Sequence, residues 1–453
     1  MGAGPVAAGA GPQGPGAKII TTVRHGTERM EMADRNAMTR RSFLKTTGMA
    51  AAGMAALSAK SYGQVAGAND RLRMAFIGCG GIAGHHLSKL LPMRKEENLE
   101  IVAVCDVYRT RAKKFQEKIQ AAGGEAKLVG DYREVLAMKD LDYVLIATPE
   151  HRHADITLAA LDAGKHVYCE KPMTHTIEEA QAVLAKAKQT GLKLQVGVQG
   201  TSDDSYAAAY EAIAAGKLGP VVQAQVDYCR NYPADKGPWR GDIDPAAPKP
   251  DDLDWQAWLG PAPKRPWEAR RYYEWRNYRD YSGGVATDLF VHRITRILKA
   301  CGLTYPSRVV GMGGIYMWPD GRELPDNFEM IVEYPAHKDI TPGMTLHVLG
   351  TMANDHGNEH CIRGHKATLI FTKEGWNIVE EHTGKVIETF KKTGAEDVGL
   401  HHKNHHAAIR TNAPLNCPPE LGLYAVVPVV MGNESWFRRK MMAWDAEKQA
   451  IKS

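Results

Sequence analysis

A chain of 453 residues is too long for one small core, so its length predicts two or three domains. Its composition, 44% hydrophobic and 24% charged, is that of an ordinary soluble protein, and a net charge of +5 with no basic stripe excludes a nucleic-acid surface. The seven cysteines are scattered singly, without a CxxC pair and odd in total, which excludes a disulfide framework and makes them small buried hydrophobes.

Residues 1–37 are rich in Gly, Ala and Pro without periodicity and read as disorder. Arg40 and Arg41 then precede Ser42-Phe43-Leu44-Lys45 and a weakly apolar run from Gly48 to Leu57. That run is too short to span a membrane, and a twin arginine before it reads as an export signal of the twin-arginine type. Cleavage is expected between Ala59 and Ala68, and Met38 is a candidate start. Residues 1–68 are therefore expected to be a disordered leader and signal, and the protein is expected to be periplasmic or otherwise exported, with no membrane span after cleavage.

Residues 69–199 read as a dinucleotide-binding domain. Leu72 to Ile77 is an apolar strand running into Gly78-Cys79-Gly80-Gly81-Ile82-Ala83 and then a helix through Leu91. The first glycine permits the tight turn, Gly80 lets backbone approach a pyrophosphate, and the small Ala83 lets helix and strand pack closely. A second strand, Glu100 to Cys105, ends in Asp106, where a carboxylate can hydrogen-bond the ribose of NAD; Arg109 and Arg111 leave NADP open. Further strands at 141–147, 165–168 and 193–198 alternate with helices at 153–163 and 177–189, a pattern that predicts a doubly wound parallel α/β sheet. The glycine loop, Thr148-Pro149 and Glu170-Lys171-Pro172 all follow strand C-termini, the ligand-binding edge of such a sheet. Pro172 restricts Lys171, so the lysine is held at a strand end on the cofactor side.

Ala147-Thr148-Pro149 with His153, Gly164-Lys165-His166-Val167 and Glu170-Lys171-Pro172, together with the glycine loop, resemble the oxidoreductase family of glucose-fructose oxidoreductase, inositol dehydrogenase and MocA. The resemblance covers nearly all of residues 70–445. It implies that Lys171 lies beside the nicotinamide and the substrate, and that Gly78, Gly80, Gly81, Ile82, Ala83, Asp106, Thr148, Pro149, His153, Glu170 and Lys171 serve the cofactor.

Residues 200–453 read as an α+β domain, with a helix at 206–215, a strand at 221–228, later strands at 309–316, 328–334, 344–349 and 367–371, and helices at 402–410 and 427–440. The strands predict a large open, mostly antiparallel sheet. In the resembling family such a sheet often serves homodimers or homotetramers. Between them, residues 229–280 form a long aromatic and Arg-rich excursion that either meets a sugar ring or covers a sheet or an interface. It ends at Tyr281-Ser282-Gly283-Gly284, before a helix carrying Asp288 and His292 four residues apart on one face. A carboxylate there is expected to orient the imidazole and stabilise its charged form. The arrangement resembles the family's second catalytic motif and completes a Lys171, Asp288 and His292 set, with Phe290 where many relatives have a small residue. Tyr281 is a candidate substrate contact. His401, His402, His405 and His406 form two pairs four apart, a spacing that can bind a metal on a helix, and His356, His360 and His365 cluster with Cys361; no HExxH is present, neither group has a carboxylate at a recognised ligand spacing and the resemblance implies no metal, so none is expected. His402 or His405 is expected to line a sugar pocket.

The resemblance implies an NAD(P)-dependent oxidoreductase acting on a sugar, glycoside or polyol; the twin-arginine leader adds export, and an exported enzyme, away from free NAD, is expected to hold its cofactor tightly. The alternatives are a redox-neutral glycoside hydrolase or lyase that oxidises transiently and eliminates, and a binding protein with a dead site.

Overall fold

A computed structural model describes residues 70–452, so the leader, Arg40, Arg41 and the expected cleavage site lie outside the described residues. Alternating side chains on the first strand explain the layering. In β1 (Leu72–Ile77), Met74 and Phe76 join a cluster with Leu87, Leu90, Phe115 and Ile119, while Ala75 and Ile77 join a cluster with Ile156, Val183 and Val196. A strand buried on both faces by successive side chains needs helices on both faces. These are Gly81–Met93 and Arg109–Ala121 on one side and His153–Asp162 and Ile177–Thr190 on the other. With β2 (Leu99–Cys105), β3 (Lys127–Val129), β4 (Tyr143–Ile146), β5 (His166–Glu170) and β6 (Leu194–Gly197), the sheet runs β3-β2-β1-β4-β5-β6, every pair parallel. The order reverses between β1 and β4, the point at which such sheets bind ligands.

The second sheet has 11 strands. It begins with β7 (Val221–Asn231), β8 (Arg308–Gly314), β9 (Asn327–His337), β10 (Thr341–Thr351) and β11 (Ala353–Asn354). It continues with β12 (Cys361–Gly364), β13 (Ala367–Thr372), β14 (Gly375–Glu380), β15 (Val386–Lys391), β16 (Met442–Asp445) and β17 (Ala450–Ile451). The sheet is mostly antiparallel as expected, but β7 and β10 pair in parallel. In β9, Phe328, Met330, Val332 and Tyr334 are buried while Ile331 is exposed, so one face is packed and the other open.

Two helices depart from the expected spans. Val398–Thr411 starts earlier because the Asp397 side chain caps it, accepting from Leu400 N. Pro419–Arg438 runs straight through Pro428, where a start near Val427 is expected. Tertiary packing outweighs the proline there: Gly422 lies so close to the first sheet that an added Cβ would fall 2.8 Å from Val196 and 2.9 Å from Met173. The described residues belong to one compact unit, in which residues of both sheets share one hydrophobic core.

Candidate active site

A cavity of about 1170 Å3 lies at the C-terminal edge of the parallel sheet. Every cofactor residue expected from the sequence lines it except Ala83, which is wholly buried where helix meets strand. Gly78 has φ +91°, and a Cβ on it would fall 2.7 Å from Ala147 O, so no other residue makes this turn. A Cβ on Gly80 or Gly81 would meet nothing within 4 Å, and the helix starting at Gly81 has no side-chain cap. Its first N–H groups are left to a ligand, as phosphate binding requires. Asp106 accepts from the backbone of Cys79 (2.8 Å) and Tyr108 (2.8 Å), and burial raises its pKa. The buried hydroxyl of Thr148 has no partner. These features fit a dinucleotide. His153 serves it indirectly: its nitrogens donate to the carbonyls of Pro172 (2.7 Å) and Thr148 (2.9 Å), tying two binding loops together. Burial opposes its charge, but Cys169 and those acceptors raise its pKa to about 9.

Lys171, Asp288 and His292 meet on the wall of the same cavity. Lys171 Nζ donates to Asp288 Oδ1 (2.8 Å) and to the Asp288 carbonyl (2.8 Å), and Arg276 Nε donates to Oδ1 (3.0 Å). Burial would raise the Asp288 pKa, but Arg276 and Lys171 outweigh it and hold the carboxylate far below its usual range. Asp288 therefore grips two cations and does not orient His292, contrary to the i,i+4 expectation. The reason is local: Ala286–Phe290 forms a π-helical turn, wider than the α-helix assumed. His292 Nδ1 has no partner, and burial, Lys171 and Arg296 lower its pKa well below the ordinary value. The imidazole is kept neutral, where a stabilised charge is expected from spacing. Phe290 points away from the cavity, stacking on Phe328 at 5.9 Å over Gly350.

The turn is anchored to the first sheet by Glu150. Its buried carboxylate accepts from Ser282 Oγ (2.7 Å), Gly283 N (3.1 Å) and Thr287 Oγ1 (2.8 Å). Glu170, next to Lys171, accepts from His86 (2.8 Å) and Gln199 (3.1 Å). A Cβ on Gly197 would fall 2.4 Å from its Oε1.

Two expected substrate contacts lie elsewhere. Tyr281 is wholly buried among Trp258, His151 and Tyr278 and does not reach the cavity. His402 is also wholly buried, stacked on Tyr168 at 4.3 Å and bonded to His86 (2.8 Å), and His405 packs beside Tyr143. Apolar and aromatic neighbours on the first sheet claim that face of the helix, so these histidines fasten Val398–Thr411 to the sheet. No group of metal-ligating side chains occurs among the described residues.

The residues that sequence reasoning missed come from the excursion and β7. Asp254 N donates to Val107 O (2.9 Å), Arg109 N to Asp252 O (3.0 Å), and Thr110 to the Asp252 carboxylate (2.7 Å). The excursion thus closes over the end of β2, its aromatics forming their own small core, and Trp258, Tyr272 and Trp275 face the cavity with Arg276. Tyr228 and Arg230 of β7 line its other wall. Only the aromatic content of the excursion was a signal for any of these.

Fold and site define a two-domain protein whose parallel sheet binds a dinucleotide and whose second domain brings side chains to the same edge. Residues 72–198 match the oxidoreductase family's NAD-binding Rossmann fold, and residues 210–302 match its C-terminal alpha/beta domain. The chain thus carries both the NAD-binding and the C-terminal domain of the Gfo/Idh/MocA oxidoreductase family. Among curated relatives, inositol 2-dehydrogenase of Salmonella typhimurium is 32% identical over 37% of this chain and 48% of the relative. D-xylose 1-dehydrogenase (NADP(+)) of Hypocrea jecorina is 34% identical over 37% of this chain and 44% of its own. The chain spans about half the length of the curated relatives it matches. The crystal structure of the WlbA dehydrogenase from Bordetella pertussis, in complex with NADH and UDP-GlcNAcA, shares the fold at TM-score 0.62 and 18% identity, over 83% of this chain and 99% of that one.

Proposed function

We propose that this protein is an exported oxidoreductase that transfers hydride between a sugar, glycoside or polyol hydroxyl carbon and a tightly held nicotinamide cofactor. One observation carries the reading: Lys171, Asp288 and His292, from two different domains, line the cavity that holds the glycine loop. The relatives' names, inositol and xylose dehydrogenases, support the substrate class. Asp106 favours NAD by hydrogen-bonding the ribose and repelling an extra phosphate. Arg40-Arg41 and the apolar run after them support export. The open face of the second sheet, with Met312 and Ile331 exposed, supports a homodimer or homotetramer.

The cofactor, when bound, supplies the hydride acceptor. Neutral His292 takes the hydroxyl proton, a task for which an imidazolium would be useless. Lys171 has three ammonium donors, of which Asp288 uses two, and the third is left for the substrate oxygen as its negative charge develops. Asp288 keeps that ammonium aimed.

Turnover of a sugar and polyol panel, read as cofactor absorbance, tests this. Lys171→Met and His292→Ala should each abolish hydride transfer while the cofactor stays bound, and near-normal rates in either would sink the assignment. Export is tested separately: a fusion with Arg40 and Arg41 changed to lysine should remain inside the cell, and undiminished export would refute the signal.

A further inference from the structure

The cations at the reacting end of the cavity are unevenly matched. Lys171 and Arg276 share one carboxylate, Asp288. Arg230, near the end of β7, lines the same cavity and has no carboxylate partner among the described residues. Its guanidinium donates only to two phenols, Tyr228 (2.9 Å) and Tyr232 (3.2 Å), and sits 5.0 Å from the Tyr228 ring centre. Tyr228 also lines the cavity, 6.4 Å from the His292 ring. Through Tyr228, Arg230 lies on the His292 side of the cavity, carried by the second sheet rather than by the parallel sheet that holds the glycine loop. The other lining carboxylate nearby, Glu170, is occupied by His86 and Gln199.

A guanidinium offers five donors in a planar fork, and here the two phenols use two of them. Partly withdrawn from water without a counter-ion, it is best satisfied by an anion arriving in the cavity. We infer that the substrate is an anionic sugar, bearing a carboxylate or a phosphate that Arg230 binds while His292 and Lys171 address the reacting hydroxyl. This rests on the reading of the cavity as a sugar-oxidising site.

The test is calorimetric titration of the NADH-loaded protein with a panel of hexuronates, hexose 6-phosphates and the parent hexoses, with turnover of the same sugars by the NAD+-loaded protein followed in parallel. One acidic class should bind more tightly than its neutral parents, and which class does so separates carboxylate from phosphate. Arg230→Met should reduce that preference on the order of 10- to 100-fold, as loss of a charged hydrogen bond does, while Arg230→Lys retains part of it. A wild-type protein without acid preference, or a preference untouched by Arg230→Met, overturns the inference. Acid preference without cofactor reduction would keep the inference and sink the oxidoreductase reading, whereas reduction by neutral sugars alone would do the reverse.

Discussion

His292 and His402 both stand on helices, and burial keeps both imidazoles neutral. Their surroundings differ. Each leaves its Nδ1 without a hydrogen bond, but His292 opens onto the cavity beside Lys171, whereas His402 is sealed between Tyr168 and His86. A neutral imidazole at a cavity wall can accept a proton from a ligand. The same imidazole inside a packed layer holds two elements together. The state of the ring is common to both sites, and access separates them.

The largest separation should be catalytic. His292→Ala is expected to lower kcat by roughly 100- to 10,000-fold, the range for loss of a general base, while His402→Ala leaves kcat within a few-fold. Comparable losses in steady-state rate would erase the distinction. Next in size, Asp288→Asn strands Lys171 and Arg276 without their carboxylate and should destabilise the fold by about 3 kcal/mol in urea titrations. Because the Asp288 pKa is depressed on folding, its contribution is present above the usual carboxylate range and is lost only as pH falls below it. His402→Ala, by removing a partner of His86 and a stacked ring, should cost about 1–3 kcal/mol by the same measurement. The smallest effect is in pH dependence. With the His292 pKa lowered, kcat/KM should stay level as pH falls from about 8 to the ordinary imidazole value near 6.5, and a base limb already titrating there would contradict a neutral His292.

Elements whose determinants are local were legible in the chain. The apolar run of β1, the glycine loop and Asp106 after β2 announced the parallel sheet and its dinucleotide edge, and Pro172 placed Lys171 there. The strands β12, β14 and β15 were not anticipated, since strands of four to six residues carry little periodicity. In the site, spacing alone assigned Asp288 to His292, and a π turn with two distant cations reassigned it.

From sequence alone came the cofactor edge and the class of the second domain, because turn sterics and strand periodicity act over a few residues. Tertiary structure alone decided which side chains face that cavity. Arg276 and Arg230 reach it from a long excursion and a strand end, while Tyr281 and His402 are drawn into packed aromatic layers. No spacing rule covers these choices, since they follow from burial and charge pairing between segments far apart in the chain.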